Sequence, residues 1–141
     1  MSIAEVKWIE LTNVEDERGT LTSMETGAPP HGVPFEIRRV FYLHAVRGER
    51  GGHAHRSTRQ LLVPAAGRFC VELADGRTSA KYAMNDPRRG LFVPALTWIR
   101  LSNFSEDAVC LVLADTPFAD VEYIRDWETF TALSRNERAV P

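Results

Sequence analysis

Along most of this chain, apolar and polar residues exchange places within short runs. Phe69-Cys70-Val71-Glu72-Leu73 alternates cleanly, and Leu61-Leu62-Val63 is apolar throughout. Runs of four to eight residues of either kind read as strands, because a two-residue period sends successive side chains to opposite faces of a sheet. On this basis strands are predicted at 7–11, 21–25, 36–46, 59–64, 68–73, 79–84, 90–93, 98–101 and 109–114. Turn signals fall between them at Arg18-Gly19, Ala28-Pro29-Pro30, Arg47-Gly48, Ala66-Gly67, Asp75-Gly76 and Asp86-Pro87. Asp75-Gly76 is the sharpest, and it predicts a tight antiparallel hairpin between the strands on either side. A helical period emerges only near the C-terminus, where 120–133 is expected to form a short peripheral helix with Tyr123, Trp127 and Phe130 on one side. Short strands at this spacing predict an all-β domain, a sandwich or barrel closed by Greek-key connections. No repeat, linker or low-complexity tract divides residues 1–141, so one domain is expected.

Composition narrows the function. The chain has 141 residues, enough for a core without disulfides or metals. With 44% hydrophobic and 26% charged residues and no apolar run near the ~18 a membrane span needs, a soluble protein with no membrane role is expected. The first residues lack the pattern of a secretory signal, which predicts a cytoplasmic setting. A net charge of −2 gives no broad basic excess, so a nucleic-acid partner is not expected. Cys70 and Cys110 lie in apolar runs without metal-ligand spacing and read as buried thiols. The charge is nevertheless uneven. Arg38, Arg39, Arg47, Arg50, Arg56 and Arg59 flank a pair of histidines, where they form either a solvated basic face or a site for a small, multiply charged anion.

That pair is His53 and His55. Two residues apart in a strand, they share a face. The surrounding segment, Gly48-Glu49-Arg50-Gly51-Gly52-His53-Ala54-His55-Arg56-Ser57-Thr58-Arg59-Gln60 and then Gly67, resembles the first cupin motif, whose polar position is ordinarily a metal-binding Glu. Here that position is Gln60. Gly90-Leu91-Phe92-Val93-Pro94 and Asn103 echo the second motif, but Ile99 stands where its metal-ligand histidine belongs. Two imidazoles, an amide and an isoleucine fall short of the three or four N, O or S donors that hold zinc-like ions, so no metal and no other cofactor is expected. Imidazoles facing a barrel mouth near neutral pH then suit proton transfer. A decayed cupin that keeps its histidines as packed core residues is the alternative. His31 and His44 read as ordinary surface or packing residues.

More widely, the chain resembles the dTDP-4-keto-6-deoxyglucose 3,4-ketoisomerases, WxcM-like sugar-nucleotide cupins that work without metal. The resemblance rests on Asp16-Glu17-Arg18-Gly19-Thr20-Leu21, Pro34-Phe35-Glu36-Ile37-Arg38-Arg39-Val40-Phe41-Tyr42, Arg50-Gly51-Gly52-His53-Ala54-His55, Gly90-Leu91-Phe92-Val93-Pro94 and Glu122-Tyr123-Ile124-Arg125-Asp126-Trp127. It implies a cupin jelly-roll barrel with a short C-terminal helix, and a homodimer with exchanged N-terminal strands. It also implies a dTDP-linked 4-keto-6-deoxyhexose as substrate, whose carbonyl moves from C4 to C3 through an enediol.

For that reaction the shared face of the two histidines suggests His55 as the base and His53 as the donor that stabilises the enediolate oxygen or relays the hydroxyl proton, with the reverse assignment open. Arg50 and then Arg39 are expected to bind the diphosphate, which a guanidinium can meet with two parallel hydrogen bonds. Gln60 is expected to orient a sugar hydroxyl or an imidazole. Tyr42 is a further substrate-binding candidate, although a bulge is needed to turn it to the same side as Arg39. Trp98 and Phe41 could stack on thymine or belong to the core. Ile99 departs from the polar residue usual after this tryptophan, which leaves the configuration at C4 open. A dTDP-sugar epimerase and a non-catalytic sugar-nucleotide-binding cupin remain the competing readings.

Overall fold

The computed structural model describes residues 3–139. Two five-stranded antiparallel sheets face each other as a jelly-roll barrel. The first runs in the order β1-β9-β6-β11-β4 and the second β12-β5-β10-β7-β8. In the first sheet, β1 is Lys7–Glu10, β4 Arg39–His44, β6 Gln60–Ala66, β9 Arg89–Val93 and β11 Val109–Ala114. In the second, β5 is Arg50–His55, β7 Phe69–Ala74, β8 Ser79–Met84, β10 Trp98–Ser102 and β12 Tyr123–Ile124. A separate hairpin pairs β2 (Thr12–Asp16) with β3 (Gly19–Ser23), and the helix α1 (Trp127–Ala139) follows β12. No helix among the described residues is long and apolar enough to cross a membrane.

The main core lies between the sheets, where Leu62, Leu91 and Val112 of the first meet Val71, Leu73, Ile99 and Leu101 of the second. Two smaller cores cover the outer faces. Val33 and Phe35, from the long connection before β4, pack on Leu61, Val63 and Phe92, while Phe130 of α1 packs on Ala54 and Ile124. This explains why Leu61-Leu62-Val63 carries no alternation, since both faces of β6 are covered. Truncating Leu62 to alanine would cost about 2–5 kcal/mol.

The Asp75-Gly76 hairpin forms as expected between β7 and β8. Asp75 is buried there, and its carboxylate accepts hydrogen bonds from the amides of Arg77 and Thr78. The C-terminal helix differs from expectation in its start. Residues 118–120 form a single 3-10 turn, Tyr123 and Ile124 join the edge of β5, and only then does α1 begin at Trp127. Asp126 fixes that start, its carboxylate accepting from the Thr129 amide and hydroxyl as an N-cap. Cys110 is buried and its thiol pKa is pushed up to about 12 by desolvation, whereas Cys70, on the outward side of β7, is only half-buried.

Candidate active site

Glycines aim the histidine pair. Gly51 and Gly52 both have positive φ, and a Cβ at Gly51 would lie 2.6 Å from the Ile99 carbonyl oxygen. Here the β5–β10 register slips, with Ile99 opposite His53 but Arg100 opposite Gly51. Such a bulge bends a strand and re-aims its next side chains. Past this bend His53 and His55 both face the barrel interior, while Ala54 turns outward beneath α1. The two imidazoles stack with centroids 5.0 Å apart and planes 22° from parallel.

They form one wall of a cavity of about 270 Å³. Leu62, Leu101 and Val112 supply its apolar base, and Gln60, Arg39, Arg50 and Ile99 join the histidines around it. His55 is 8% exposed and Gln60 is buried. The Arg39 guanidinium lies 4.3 Å from the Phe41 ring centroid and 4.7 Å from that of Phe118. Five of the six residues singled out in the sequence thus meet here. Tyr42 does not. The β4–β11 register is regular from Arg39 to His44, so no bulge rotates Tyr42 inward; it is 60% exposed on the outer face, against the His44 ring. Phe41 lines the cavity, whereas Trp98 faces outward and packs on Trp127 and Phe130.

The surroundings of both imidazoles favour the neutral form. Burial lowers the pKa of His53, the Arg125 and Arg50 charges lower it further, and a hydrogen bond with the Gly51 backbone partly opposes them. His55 is pushed down to about 4, first by burial and then by His53, Arg39 and Arg125. A neutral imidazole has one nitrogen able to accept a proton and one able to donate a hydrogen bond. The arrangement therefore offers two adjacent acid-base groups beside guanidinium donors. Among the described residues no three His, Cys, Asp or Glu side chains gather as a metal-binding cluster. The positions of the cupin pattern are filled by His53, His55, Gln60 and Ile99, all lining this cavity.

Residues 4–135 match the family described as FdtA: WxcM-like, C-terminal. The chain belongs to this family. It is 35% identical over 128 residues to the TDP-4-oxo-6-deoxy-alpha-D-glucose-3,4-oxoisomerase of Aneurinibacillus thermoaerophilus, an alignment covering 89% of this chain and 90% of the relative. A 3,4-ketoisomerase from Helicobacter canadensis shares the structure with TM-score 0.85 and 33% identity, over 93% of this chain and 98% of that one. The 3,4-ketoisomerase of Thermoanaerobacterium thermosaccharolyticum, as a histidine-to-asparagine mutant in complex with TDP-4-keto-6-deoxyglucose, matches with TM-score 0.88 and 28% identity. That alignment covers 95% of this chain and 96% of the other.

Three residues beside the histidines in this WxcM-like fold were given no site role by the sequence. Tyr123 places its ring 5.1 Å from His53 and 4.9 Å from His55, near-perpendicular to both. Arg125 stands 4.5 Å over the Tyr123 ring and acts on both histidines, and Phe118 reaches the cavity from the turn after β11. The signal was present in Glu122-Tyr123-Ile124-Arg125-Asp126-Trp127, but the spacing of Tyr123, Trp127 and Phe130 reads as a helix face and conceals a strand. A larger depression of about 590 Å³ lies on the outer face of the second sheet, beside Trp98, Trp127 and Arg100. It contains no histidine, and Arg100 is already paired with Glu49 at 2.7 Å. The histidine pair lines the smaller cavity.

Proposed function

We propose that this cavity isomerises a dTDP-linked 4-keto-6-deoxy-D-glucose, moving its carbonyl from C4 to C3 for deoxysugar biosynthesis. The observation that carries the reading is the stacked pair His53 and His55 facing an arginine-flanked cavity. It is supported by the names of relatives that align over nearly the whole chain.

His55, the more buried of the two, removes the C3 proton. The C–H electron pair becomes the C3=C4 bond, and the former carbonyl oxygen at C4 takes the negative charge. His53 donates a hydrogen bond to that oxygen and relays the hydroxyl proton from O3 as the new carbonyl forms. A proton delivered to C4 completes the exchange, with no net oxidation. Gln60 orients a hydroxyl of the sugar. Arg50 and Arg39 bind the diphosphate. In the free enzyme their charges help suppress the basicity of the imidazoles. Pairing with the diphosphate offsets those charges, so substrate itself makes the histidines stronger bases.

The reaction runs without metal, because an amide and an isoleucine complete the set around the two imidazoles. The enzyme works as a homodimer with exchanged N-terminal strands. Supporting this, the β2–β3 hairpin pairs with no other strand among the described residues and leaves Val14 59% and Leu21 62% exposed. A cytoplasmic setting fits two cysteines that form no disulfide. Incubation with dTDP-4-keto-6-deoxyglucose after chelator treatment, followed by NMR, is expected to show a 3-keto product. Retention of the 4-keto group with inversion at a neighbouring carbon would make the protein an epimerase, and an unchanged but bound sugar nucleotide would make it a binding module.

A further inference from the structure

The connection from β11 to α1 crosses the cavity mouth and is fastened at both ends. At the start, Asp115 accepts from the Arg59 amide and from Arg59 Nε at 2.8 Å, and the Asp115 amide donates back to the Arg59 carbonyl. At the end, the Arg56 amide donates to the Glu122 carbonyl and Tyr123 pairs with His55 across β12 and β5. Beneath it, Ile124 packs on Phe130 and Ala54. The backbone at Tyr123 is therefore fixed by the very strand that carries the histidines.

Its ring completes a triangle. The three centroid separations among Tyr123, His53 and His55 are 4.9, 5.0 and 5.1 Å, and the tyrosine stands at 80° and 85° to the two imidazole planes. Edge-to-face contact of this kind prefers one orientation, which a free imidazole on a strand does not have. Neither histidine can rotate about its side-chain bonds without leaving this contact. We propose that Tyr123 is a positioning residue that acts through its ring, locking both imidazoles in the one orientation in which they can pass protons along the sugar. This deepens the ketoisomerase reading and rests on it.

The ring, and not the hydroxyl, carries the effect. Tyr123→Phe keeps the three-ring contact, whereas Tyr123→Leu keeps apolar bulk and strand pairing but loses the perpendicular face. Misplacing a reacting group by an ångström can lower a rate about 100-fold. For Tyr123→Leu, kcat is expected to fall about 10- to 100-fold with KM nearly unchanged, since the arginines that hold the diphosphate are intact. Tyr123→Phe is expected to restore kcat nearly to the parent value. An independent readout is the NMR titration of the two imidazoles in the free protein. Facing them are Arg39 from β4, Arg50 from β5 itself and Arg125 after β12, all retained in both variants; Gln60 and Ile99 carry no charge. Leucine is apolar but smaller and cannot cover both rings as the perpendicular aromatic face does, so Tyr123→Leu should move both midpoints up toward the ordinary imidazole value, and Tyr123→Phe should leave them in place.

Because the titration needs no substrate, it separates this claim from the ketoisomerase reading. An inactive parent protein with the Leu-specific shift refutes the reaction and keeps the positioning role. Midpoints unmoved in Tyr123→Leu, or a kcat in Tyr123→Phe as low as in Tyr123→Leu, would overturn the proposal.

Discussion

At the scale of single residues, the proposed catalysis rests on imidazoles whose neutral form is favoured by burial and by facing guanidinium groups. His55→Asn is expected to lower kcat by about 100- to 10,000-fold, the usual range for a general acid-base group, while dTDP affinity measured by calorimetry stays near the parent value. Undiminished turnover would remove His55 from the mechanism. The pH dependence has a definite sign. His55 titrates near 4 when folded and near 6.5 when unfolded, so between these values the unfolded chain binds more protons. Its contribution to stability is complete above pH 6.5 and is lost as pH falls toward 4, to an extent of at most about 3 kcal/mol. Thermal melts at pH 7 and 4.5 should show a smaller acid loss in His55→Asn than in the parent, and equal losses would contradict the depressed value. Catalysis should show the same groups shifted by substrate. The acid limb of kcat/KM, which reports the free enzyme, should lie at lower pH than that of kcat, which reports the complex with its arginines paired. Coincident limbs would mean that diphosphate does not relieve the suppression.

At the scale of elements, the histidine strand depends on the bulge at Gly51. Gly51→Ala places a Cβ against the Ile99 carbonyl in a left-handed backbone conformation, so β5 must shift. Activity is expected to drop about tenfold or more with the barrel still folded, checked by kinetics beside circular dichroism. Full activity would show that the bulge does not aim the pair. Most strands of the two sheets were legible because each buries one or both faces; β5 was outside the predicted runs, because Arg50-Gly51-Gly52-His53-Ala54-His55 carries no apolar period. β2 was not legible, because all five residues of Thr12-Asn13-Val14-Glu15-Asp16 are exposed and carry no apolar period. β12 was hidden for a different reason. Its two residues are set by pairing with β5, a distant contact, while the local spacing of aromatic residues matches a helix. The site was legible where a motif supplied it, at His53, His55, Arg50 and Gln60. Tyr42 was misplaced because a regular strand puts it opposite to Arg39, and Tyr123 and Arg125 were missed because only the β5–β12 pairing brings them to the histidines.

At the scale of the whole molecule, the exposed β2–β3 hairpin is the feature on which the proposed dimer rests. A two-stranded hairpin with both strands largely exposed is marginal in water, and Val14 and Leu21 need a cover. Val40 and Tyr42 leave an apolar pair exposed on the outer face of the edge strand β4. Light scattering should give twice the chain mass, and Val14→Ser with Leu21→Ser should shift the population toward monomer; a monomeric parent would refute the exchanged dimer. In the proposed mechanism the barrel, the bulge and the strap from β11 to α1 all serve one chemical act, removal of a proton at C3 and delivery of a solvent-exchanged proton to C4 of a keto sugar. Turnover of dTDP-4-keto-6-deoxyglucose in heavy water tests it most directly. The expected outcome is a 3-keto product carrying deuterium at C4, and a 3-keto product with no solvent deuterium, or no 3-keto product, would contradict it.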